Sequence, residues 1–198
     1  MSPDSASLVV DDDGVARCAW AASSPEYVRY HDEEWGTPLH GDRPLFEKIS
    51  LEGFQAGLSW ITILRRRENF RTAFRGFDID AVAEMSVDDA DRLMLDTGII
   101  RNRAKIVATI ANAAVTRELV RDHPGALDAL LWGFAPPPRA APPATLADVP
   151  AITPESTAMS AALRALGFRF VGPTTLYALM QSSGMADDHV AGCVRSRA

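Results

Sequence analysis

Apolar residues recur along most of the chain at spacings of three and four, and no run alternates between apolar and polar positions as a half-buried strand does. Several periodic stretches begin at a residue that caps helices, in two cases with proline at the first helical position. These starts are Ser24-Pro25, Asp78, Ser86 and Thr153-Pro154. Glycines at positions 98, 167 and 184 fall where such stretches stop. The pattern predicts an all-α protein.

Three stretches need separate predictions. Residues 1–14 end in an acidic run and have no basic n-region, so we expect a disordered, solvated arm and no secretory signal. Residues 135–150 are proline-rich, which predicts a connector too short to separate independent domains. The segment with His189 and Cys193 is predicted to form the last helix. We expect one helical domain, residues 15–198, with two lobes and a hairpin near residues 96–101.

Composition sets bounds on function. The 198 residues carry a net charge of −6, and no apolar run approaches the roughly 18 residues that a membrane span requires. Two cysteines are too few for a disulfide framework, so we expect a cytoplasmic protein, and a monomer by default. The net charge argues against a broadly basic surface but leaves room for a local nucleic-acid patch. Basic residues do cluster at 65–75 and 101–105, where the alternative is a solvated helix face.

One carboxylate interrupts an apolar stripe. Leu45, Ile49 and Ala56 lie at helical spacing with Glu52 among them, so Glu52 is predicted to face the core. A buried carboxylate destabilises a fold unless it is paired or hydrogen-bonded, and therefore needs a reason to be there. The structural alternative is that Glu52 caps a neighbouring helix or pairs with a buried arginine.

Aromatic residues concentrate around the same region: Trp20, Tyr27, Tyr30, Trp35 and Trp60 all lie between positions 20 and 60. Each indole N–H or phenol O–H needs a partner when buried, whereas a core is built more simply from Leu, Ile and Phe. Flat aromatic walls beside a buried carboxylate suit a planar, cationic ligand. Core packing is the alternative, and spacing alone favours it.

A glycine-containing turn lies at Asp96-Thr97-Gly98-Ile99-Ile100-Arg101, between two helical stretches. Such a turn can present successive backbone N–H groups to an anion, and Arg101, Arg103 and Lys105 beside it favour a phosphate. The alternative is that Gly98 serves turn geometry only.

The cysteines and two of the four histidines suggest a metal site. Cys18, His31, His189 and Cys193 use both cysteines of the chain and would complete a Cys2His2 tetrahedron, a set typical of zinc. The alternatives are two unrelated buried thiols or a Cys18–Cys193 disulfide. Spacing alone does not decide among them.

Taken together, these segments resemble the 3-methyladenine DNA glycosylase I family. The similarity extends from about Arg17 to Cys193. It is carried by RCAW, YVRYHDEEWG, LFEKISLEGFQAGLSWITILRRRENF, TGIIRNRAKI, GFRFVG and DHVAGC, of which LEGFQAGLSW with DHVAGC is highly specific.

The resemblance implies a helix–hairpin–helix DNA glycosylase fold with a zinc bound by Cys18, His31, His189 and Cys193. Four protein ligands leave no open position, so this zinc would be structural and would join the N- and C-terminal segments. The resemblance assigns Glu52 as catalytic, with Tyr30, Trp60, Tyr27, Trp20 and Trp35 around the base. It assigns DNA contacts to Gly98, Ile99, Ile100, Arg101 and Arg103 of the hairpin, and to Gly57 and Leu58 at the tip of a turn that enters the gap left by a flipped nucleotide.

The implied activity is base-excision repair. The enzyme would extrude N3-methyladenine from alkylated double-stranded DNA and remove it hydrolytically, giving free 3-methyladenine and an abasic site. The methylated base is a cation and a good leaving group, so aromatic faces and a carboxylate would select it without a strong general acid. The resemblance implies no catalytic aspartate. With Lys48 and Lys105 as the only lysines, no Schiff-base lysine is expected in the pocket, so the enzyme would be monofunctional.

Two other function classes fit part of this pattern. A zinc-stabilised DNA-binding module without catalysis would explain the hairpin and the metal, but not a carboxylate buried among aromatic residues. A metallohydrolase such as a deaminase would need an open metal position, and neither H-x-E with C-x-x-C nor H-E-x-x-H occurs in the chain. Release of free base from methylated DNA separates the glycosylase from both.

Overall fold

The computed structural model describes residues 7–196, and it is mostly helical, as predicted. The described residues form ten α-helices and two short strands. The helices are α1 (Pro25–Glu33), α2 (Asp42–Gln55), α3 (Trp60–Leu64), α4 (Arg67–Ala73), α5 (Ile79–Ala83), α6 (Val87–Leu93), α7 (Arg103–Val120), α8 (Ala126–Trp132), α9 (Pro154–Ala165) and α10 (Pro173–Ser182). None of them is long and apolar enough to cross a membrane.

The predicted helix starts are confirmed. Ser24 accepts a hydrogen bond from the Tyr27 amide with Pro25 at the first helical position of α1. Asp78 caps α5, and Ser86 forms a reciprocal capping box with Asp89 at α6. Thr153 caps α9 in the same way. Each cap satisfies backbone N–H groups that the first turn of a helix leaves without partners.

Helix α2 is the centre of the fold and packs against α3, α7, α8 and α10. Its residues from Leu45 to Phe54 are buried on every face except at Glu47, whereas Ala56, expected to extend the apolar stripe, is exposed. The apolar stripe predicted one buried face, whereas α2 is buried on nearly all sides between Leu45 and Phe54. Its surroundings include a chain of phenylalanine rings, in which Phe54 lies 4.6 Å from Phe70 between ring centroids.

The N-terminal residues that are described form a β-hairpin, not a disordered arm. Strand β1 (Leu8–Val10) pairs antiparallel with β2 (Ala16–Cys18), and Leu8 lies opposite Cys18. The buried Arg17 guanidinium offsets part of the charge of the acidic run, since it bonds Asp11 and Asp13 as well as Asp32 of α1. Residues 1–6 of the expected arm lie outside the described residues.

The prediction of a last helix carrying His189 and Cys193 is wrong: residues 185–196 follow an irregular path. Their backbone groups find partners elsewhere, because the Ala191 amide donates to Pro143 O and the Val194 amide donates to Ala16 O. Gly192 adopts a φ of 87°, which interrupts any regular helix. The segment is therefore held between the proline-rich connector and β2. This places Cys193 beside Cys18.

Candidate active site and metal centre

A cavity of about 410 Å³ lies between α1, the end of α2, the start of α3 and α10. All five aromatic residues singled out in the sequence line it, and so does Glu52. The complete lining is Trp20, Tyr27, Tyr30, Trp35, Glu52, Gln55, Ser59, Trp60, Leu146, Val149, Ala178, Gln181, Ser182 and Asp188. The structure thus brings together side chains that the sequence spreads over many helical turns.

The aromatic walls form a connected set. The Tyr30 and Trp60 ring centroids are 5.5 Å apart, and Trp20 lies edge-on to both Tyr27 and Trp35 at 5.5 and 5.1 Å. Tyr27 is fixed by its hydroxyl, which accepts a hydrogen bond of 2.8 Å from the Ile61 amide at the start of α3. The Trp60 indole N–H is buried and has no hydrogen-bond partner among the described residues. This cavity is therefore preformed, with one donor left unsatisfied.

Glu52 is the acidic group that the sequence predicted for this cavity, and only 3% of it is exposed. Its Oε1 accepts a hydrogen bond of 2.8 Å from the Ser182 hydroxyl of α10, while its Oε2 is buried without a partner among residues 7–196. Burial raises the pKa of Glu52 to about 7, although the nearby charge of Lys48 and the Ser182 hydrogen bond act to lower it. The structural alternative of a helix cap or an arginine pair is not what the structure shows.

A lysine lies directly against the aromatic wall, where none was expected. Lys48 is one helical turn before Glu52, and its Nζ lies 5.2 Å from the Tyr30 ring centroid and 5.3 Å from that of Trp60. It also donates a hydrogen bond of 3.3 Å to the Tyr30 hydroxyl. The residue is 8% exposed and does not itself line the aromatic cavity. Sequence spacing could have placed it near Glu52, because residues four apart are neighbours on a helix.

A second carboxylate of the cavity, Asp188, was not predicted. Its Oδ2 accepts hydrogen bonds from the Tyr177 hydroxyl at 2.6 Å and from the Gln181 side-chain amide at 2.8 Å. Its Oδ1 lies 2.8 Å from the Arg139 guanidinium. Asp188 Oδ1 accepts no hydrogen bond among the described residues, but it is ion-paired with Arg139, whereas Glu52 Oε2 has neither kind of partner. Its position within MADDHVAGC was the only sequence signal that could have drawn attention to it.

The proline-rich connector contributes a wall. Leu146 and Val149 line the cavity, and the Leu146 amide is held by the Ser7 hydroxyl at 3.0 Å. Arg139 and Pro143 fasten the same segment to Asp188 and Ala191. No composition or periodicity signal in this stretch indicates such a position. Its role could only be seen once the chain was folded.

A candidate metal centre joins the ends of the described chain. The ligating atoms of Cys18, His31 and Cys193 all lie within 4.8 Å of one another, and all three residues are buried. Cys193 Sγ lies 3.3 Å from His31 Nε2. Both cysteines are free thiols, so the disulfide alternative is not formed.

The fourth predicted ligand, His189, lies beside this group, with its ring centroid 5.0 Å from that of His31. Its Nε2 is buried without a partner in the described part of the chain, whereas its Nδ1 is bonded to Asp187 at 2.8 Å. His31 is arranged in the same way, with Nδ1 on Asp32 at 2.8 Å. A carboxylate on the outer nitrogen is the usual support of a metal-binding histidine. Gly36 packs so closely on the His189 ring that a Cβ atom there would lie 2.6 Å from it.

The close packing of the two thiols and His31 shifts the pKa values of all three groups. Hydrogen bonding from Cys18 lowers the pKa of the Cys193 thiol well below its usual range, with a further contribution from His31. The same hydrogen bond raises the pKa of Cys18. Burial opposes protonation of His31, but its contacts with Cys193 and Asp32 raise its pKa overall. Two sulfurs and two imidazole nitrogens form a donor set that fits zinc.

The hairpin residues divide into different environments. Ile99 is buried in the core, so its side chain is unavailable to DNA, and Arg103 is paired with Asp91. The amides of Ile99, Ile100 and Arg101 donate no hydrogen bond within residues 7–196. The Gly98 amide donates to Asp96 Oδ1 at 2.7 Å, which leaves it less available.

The turn after α2 is exposed, and hydrogen bonds from Lys105 of α7 fix its position. Gly57 adopts a φ of 84° and Leu58 is 42% exposed. Lys105, in the first turn of α7, donates hydrogen bonds to Phe54 O at 2.9 Å and Ala56 O at 2.7 Å. The helix that follows the hairpin is thus fastened to the turn that borders the cavity.

Several arginines of the 65–75 cluster are paired with carboxylates. Arg65 lies 3.1 Å from Glu26, and Arg67 is paired with Glu34. Their charge is therefore partly offset, which favours the solvated, ion-paired helix face that was the alternative for this cluster.

Comparison with known proteins supports the resemblance. The family described as methyladenine glycosylase matches residues 20–196. DNA-3-methyladenine glycosylase 1 of Escherichia coli (strain K12) is 46% identical over 178 residues, which are 89% of this chain and 95% of that protein. DNA-3-methyladenine glycosylase of Haemophilus influenzae is 44% identical over 178 residues, 89% of this chain and 96% of that one.

Solved structures agree. A crystal structure of 3-methyladenine DNA glycosylase I superposes with a TM-score of 0.87 at 44% identity, covering 91% of this chain and all of that one. The Staphylococcus aureus enzyme, whose structure addresses 3-methyladenine recognition, gives 0.85 at 32% identity, covering 92% and 97% of the two chains. With a family match across nearly the whole described chain and relatives of this similarity, the protein belongs to the methyladenine glycosylase family and is a DNA-3-methyladenine glycosylase.

Proposed function

We propose that this glycosylase flips N3-methyladenine out of alkylated double-stranded DNA, hydrolyses its N-glycosidic bond and leaves an abasic site without cutting the strand. The observation that carries this proposal is the unpartnered Glu52 Oε2 inside a cavity walled by five aromatic residues. A buried acceptor without a donor is rare in a folded protein and is explained by a ligand that supplies the donor. The exocyclic amine of adenine is such a donor.

The cavity favours the methylated base by its charge. The electron-rich faces of Tyr30 and Trp60 attract a cation, and Glu52 in its ionised form adds a charge-assisted hydrogen bond. Neutral adenine gains neither benefit in full. Since the cationic base is already a good leaving group, Glu52 acts as an acceptor and electrostatic anchor, and no proton donor to the base is required.

Extrusion of the nucleotide requires unstacking, which costs a few kcal/mol. Leu58, exposed at the tip of the turn after α2, is positioned to enter the gap in the duplex, with Gly57 supplying the left-handed backbone of the tip. Lys105 holds this turn to α7.

On the hairpin, the amides of Ile99, Ile100 and Arg101 are free to contact a phosphate. Residues 96–101 would then serve as the hairpin of a helix–hairpin–helix element, which fixes the protein on the duplex without reading its sequence. The exposed Arg101 beside these amides adds electrostatic attraction to the same phosphate.

Cys18, His31, His189 and Cys193 would hold one zinc ion. The metal would cross-link β2, α1 and the C-terminal segment and would supply folding energy, because four protein ligands leave no position for a substrate or water. Trp35 connects this centre to the cavity, since its ring lies 4.5 Å from that of His189 and 5.1 Å from that of Trp20. The four ligands therefore act on the pocket by fixing its aromatic wall.

The direct test is incubation with double-stranded DNA treated with a methylating agent, followed by chromatography of the released bases. We expect free 3-methyladenine from the wild type and much less from Glu52→Ala. The matched carboxylate control is Glu33→Gln, because Glu33 is exposed on α1, outside the aromatic cavity. Strands should break only after alkaline treatment of the abasic sites. Intact bases after incubation with folded, metal-loaded protein would contradict the proposal and favour a DNA-binding role without catalysis.

A further inference from the structure

Lys48 lies on the far side of the wall that bounds the base cavity. A second cavity of about 240 Å³ adjoins the first, and Trp60 and Ser182 line both. Lys48 lines only the second. Its ammonium group therefore approaches the Tyr30 and Trp60 rings without itself lining the space proposed to hold the base.

No carboxylate of the described residues forms an ion pair with Lys48. Among residues 7–196 it forms no ion pair within 4.0 Å, and its one hydrogen bond is to the neutral Tyr30 hydroxyl. Burial lowers the pKa of Lys48, while the carboxylates of Glu52 and Glu34 oppose this shift. A buried ammonium group requires a compensating charge nearby.

Glu34 is already committed to another cation. Its two carboxylate oxygens accept from both terminal nitrogens of Arg67, one of them at 2.9 Å. This bidentate pair is neutral as a whole. Glu52, one turn away from Lys48 on the same helix, is the remaining complementary charge.

The other groups facing Glu52 supply no positive charge. Ser182 of α10 is a hydroxyl, and Tyr30 of α1 is neutral because burial, with the Glu52 charge adding to it, raises its pKa well above the usual range. Asp188 of the C-terminal segment lines the same cavity, but it is paired with Arg139. Lys48 is thus the cation of the described chain that acts on Glu52.

We propose that Lys48 is a positioning residue of the base pocket, which shifts Glu52 toward its ionised form and orients Tyr30 through its hydroxyl. This effect of Lys48 on the ionisation of Glu52 is a property of the protein alone. Its use as the anchor of a cationic base rests on the proposed function. In this arrangement the amine of Lys48 stays behind the aromatic wall and forms no covalent bond with the abasic sugar.

The first experiment titrates Glu52 in the free enzyme, using carbon-13 NMR of side-chain-labelled glutamate with Glu52→Gln to assign the signal. Lys48→Met should move the Glu52 midpoint to a pH higher by about one unit or more, because the opposing charge is gone. Lys48→Arg should leave the midpoint close to that of the wild type. Lys105→Met is the matched control, since Lys105 is also buried but bonds the carbonyls of Phe54 and Ala56. An unchanged midpoint in folded Lys48→Met, or in Lys48→Gln if the methionine variant does not fold, would overturn the proposal.

The second experiment measures single-turnover base excision against pH. If the Glu52 midpoint in Lys48→Met is one unit higher, activity should fall about fivefold at pH 7, because the ionised fraction of Glu52 drops from about one half to about one eleventh. The reduction should shrink as pH rises past the new midpoint. A reduction of equal size at every pH would indicate structural support only and would overturn the charge assignment. Borohydride trapping of a Lys48–DNA adduct would overturn it as well, because the amine would then be a nucleophile. If the wild type excises no base, the proposed function fails, but the NMR titration still decides the role of Lys48.

Discussion

The aromatic cavity and the candidate metal centre share a wall of aromatic rings, yet their polar groups are satisfied in opposite ways. At the metal centre each histidine has its outer nitrogen on a carboxylate, Asp32 for His31 and Asp187 for His189. In the cavity, Glu52 Oε2 and Trp60 Nε1 have no partner among residues 7–196. In the proposed function, a metal ion would satisfy the first region and a flipped base would satisfy the second.

The hydrogen-bond partners of buried polar groups distinguish a structural site from a ligand-binding site. Polar groups supported from behind, and converging on one point, indicate a closed centre. Polar groups left open toward a cavity of about 410 Å³ indicate a ligand. Asp188 shows the difference within the cavity itself, because three protein groups already engage its carboxylate. Asp188 therefore supports the cavity wall, and Glu52 is the carboxylate that we propose for the base.

The largest expected effect is at the metal centre. Cys193→Ala should lower the free energy of unfolding by more than about 4 kcal/mol and the melting temperature by roughly 10 °C or more, because metal binding energy is folding energy. Elemental analysis and thermal unfolding monitored by circular dichroism measure both effects, with the exposed neighbour Val194→Ala as control. If freshly purified wild-type protein contained no metal, the assignment of Cys18, His31, His189 and Cys193 as a metal centre would be wrong.

The next largest effect is at the cavity and should spare the fold. Glu52→Ala should lower single-turnover excision of 3-methyladenine roughly 100-fold, since it removes a charge-assisted hydrogen bond to the base. Glu52→Gln keeps the shape and one acceptor oxygen, so we expect about a tenfold reduction. Both variants should retain the metal.

Equal reductions in the two Glu52 variants, in folded protein that still binds abasic DNA, would mean that the negative charge itself is indispensable. The carboxylate would then stabilise developing charge in the transition state and not merely anchor the base.

The same residue should make stability depend on pH. The Glu52 pKa rises from 4.5 to about 7 on folding, so the folded state favours the protonated acid. Its stabilising contribution is present below about pH 4.5 and is lost as pH rises through about 7. Glu52→Gln should therefore gain stability relative to the wild type between about pH 5 and pH 8, by at most about 3 kcal/mol. Urea unfolding of both proteins at the two pH values measures their free energies of unfolding. If the difference between the two proteins were the same at both pH values, the raised pKa of Glu52 would be contradicted.

The smallest effect is expected at the hairpin, where contacts are to the DNA backbone. Neutralising Arg101 should weaken binding to all sequences alike and reduce the salt slope of log K by up to about 0.9 for a phosphate that the arginine no longer neutralises. Neutralising Arg103 should do less, because its pairing with Asp91 already offsets its charge. Fluorescence anisotropy over a range of salt concentrations tests both. Equal slopes in all three proteins would show that Arg101 does not meet the backbone.

Local sequence determined where several helices start and pointed to much of the candidate site. Ser24-Pro25, Ser86 and Thr153 start helices because their caps act within a single turn, so no distant contact is needed. The apolar pattern around Glu52 indicated that a carboxylate is buried, and the structure confirms its burial. The aromatic residues and the thiols were recognisable as unusual from their residue types alone.

Tertiary structure alone decided where the remaining groups lie. The path of residues 185–196, which brings Cys193 and His189 to His31, is set by hydrogen bonds to Pro143 and Ala16, far away along the chain. The pairing of Arg103, the wall made by Leu146 and Val149, and the place of Lys48 behind the aromatic rings depend in the same way on distant partners. Capping and periodicity act over a few residues and can be seen in the sequence. Charge compensation and cavity walls act through space between residues far apart in the chain, so they exist only once the chain has folded.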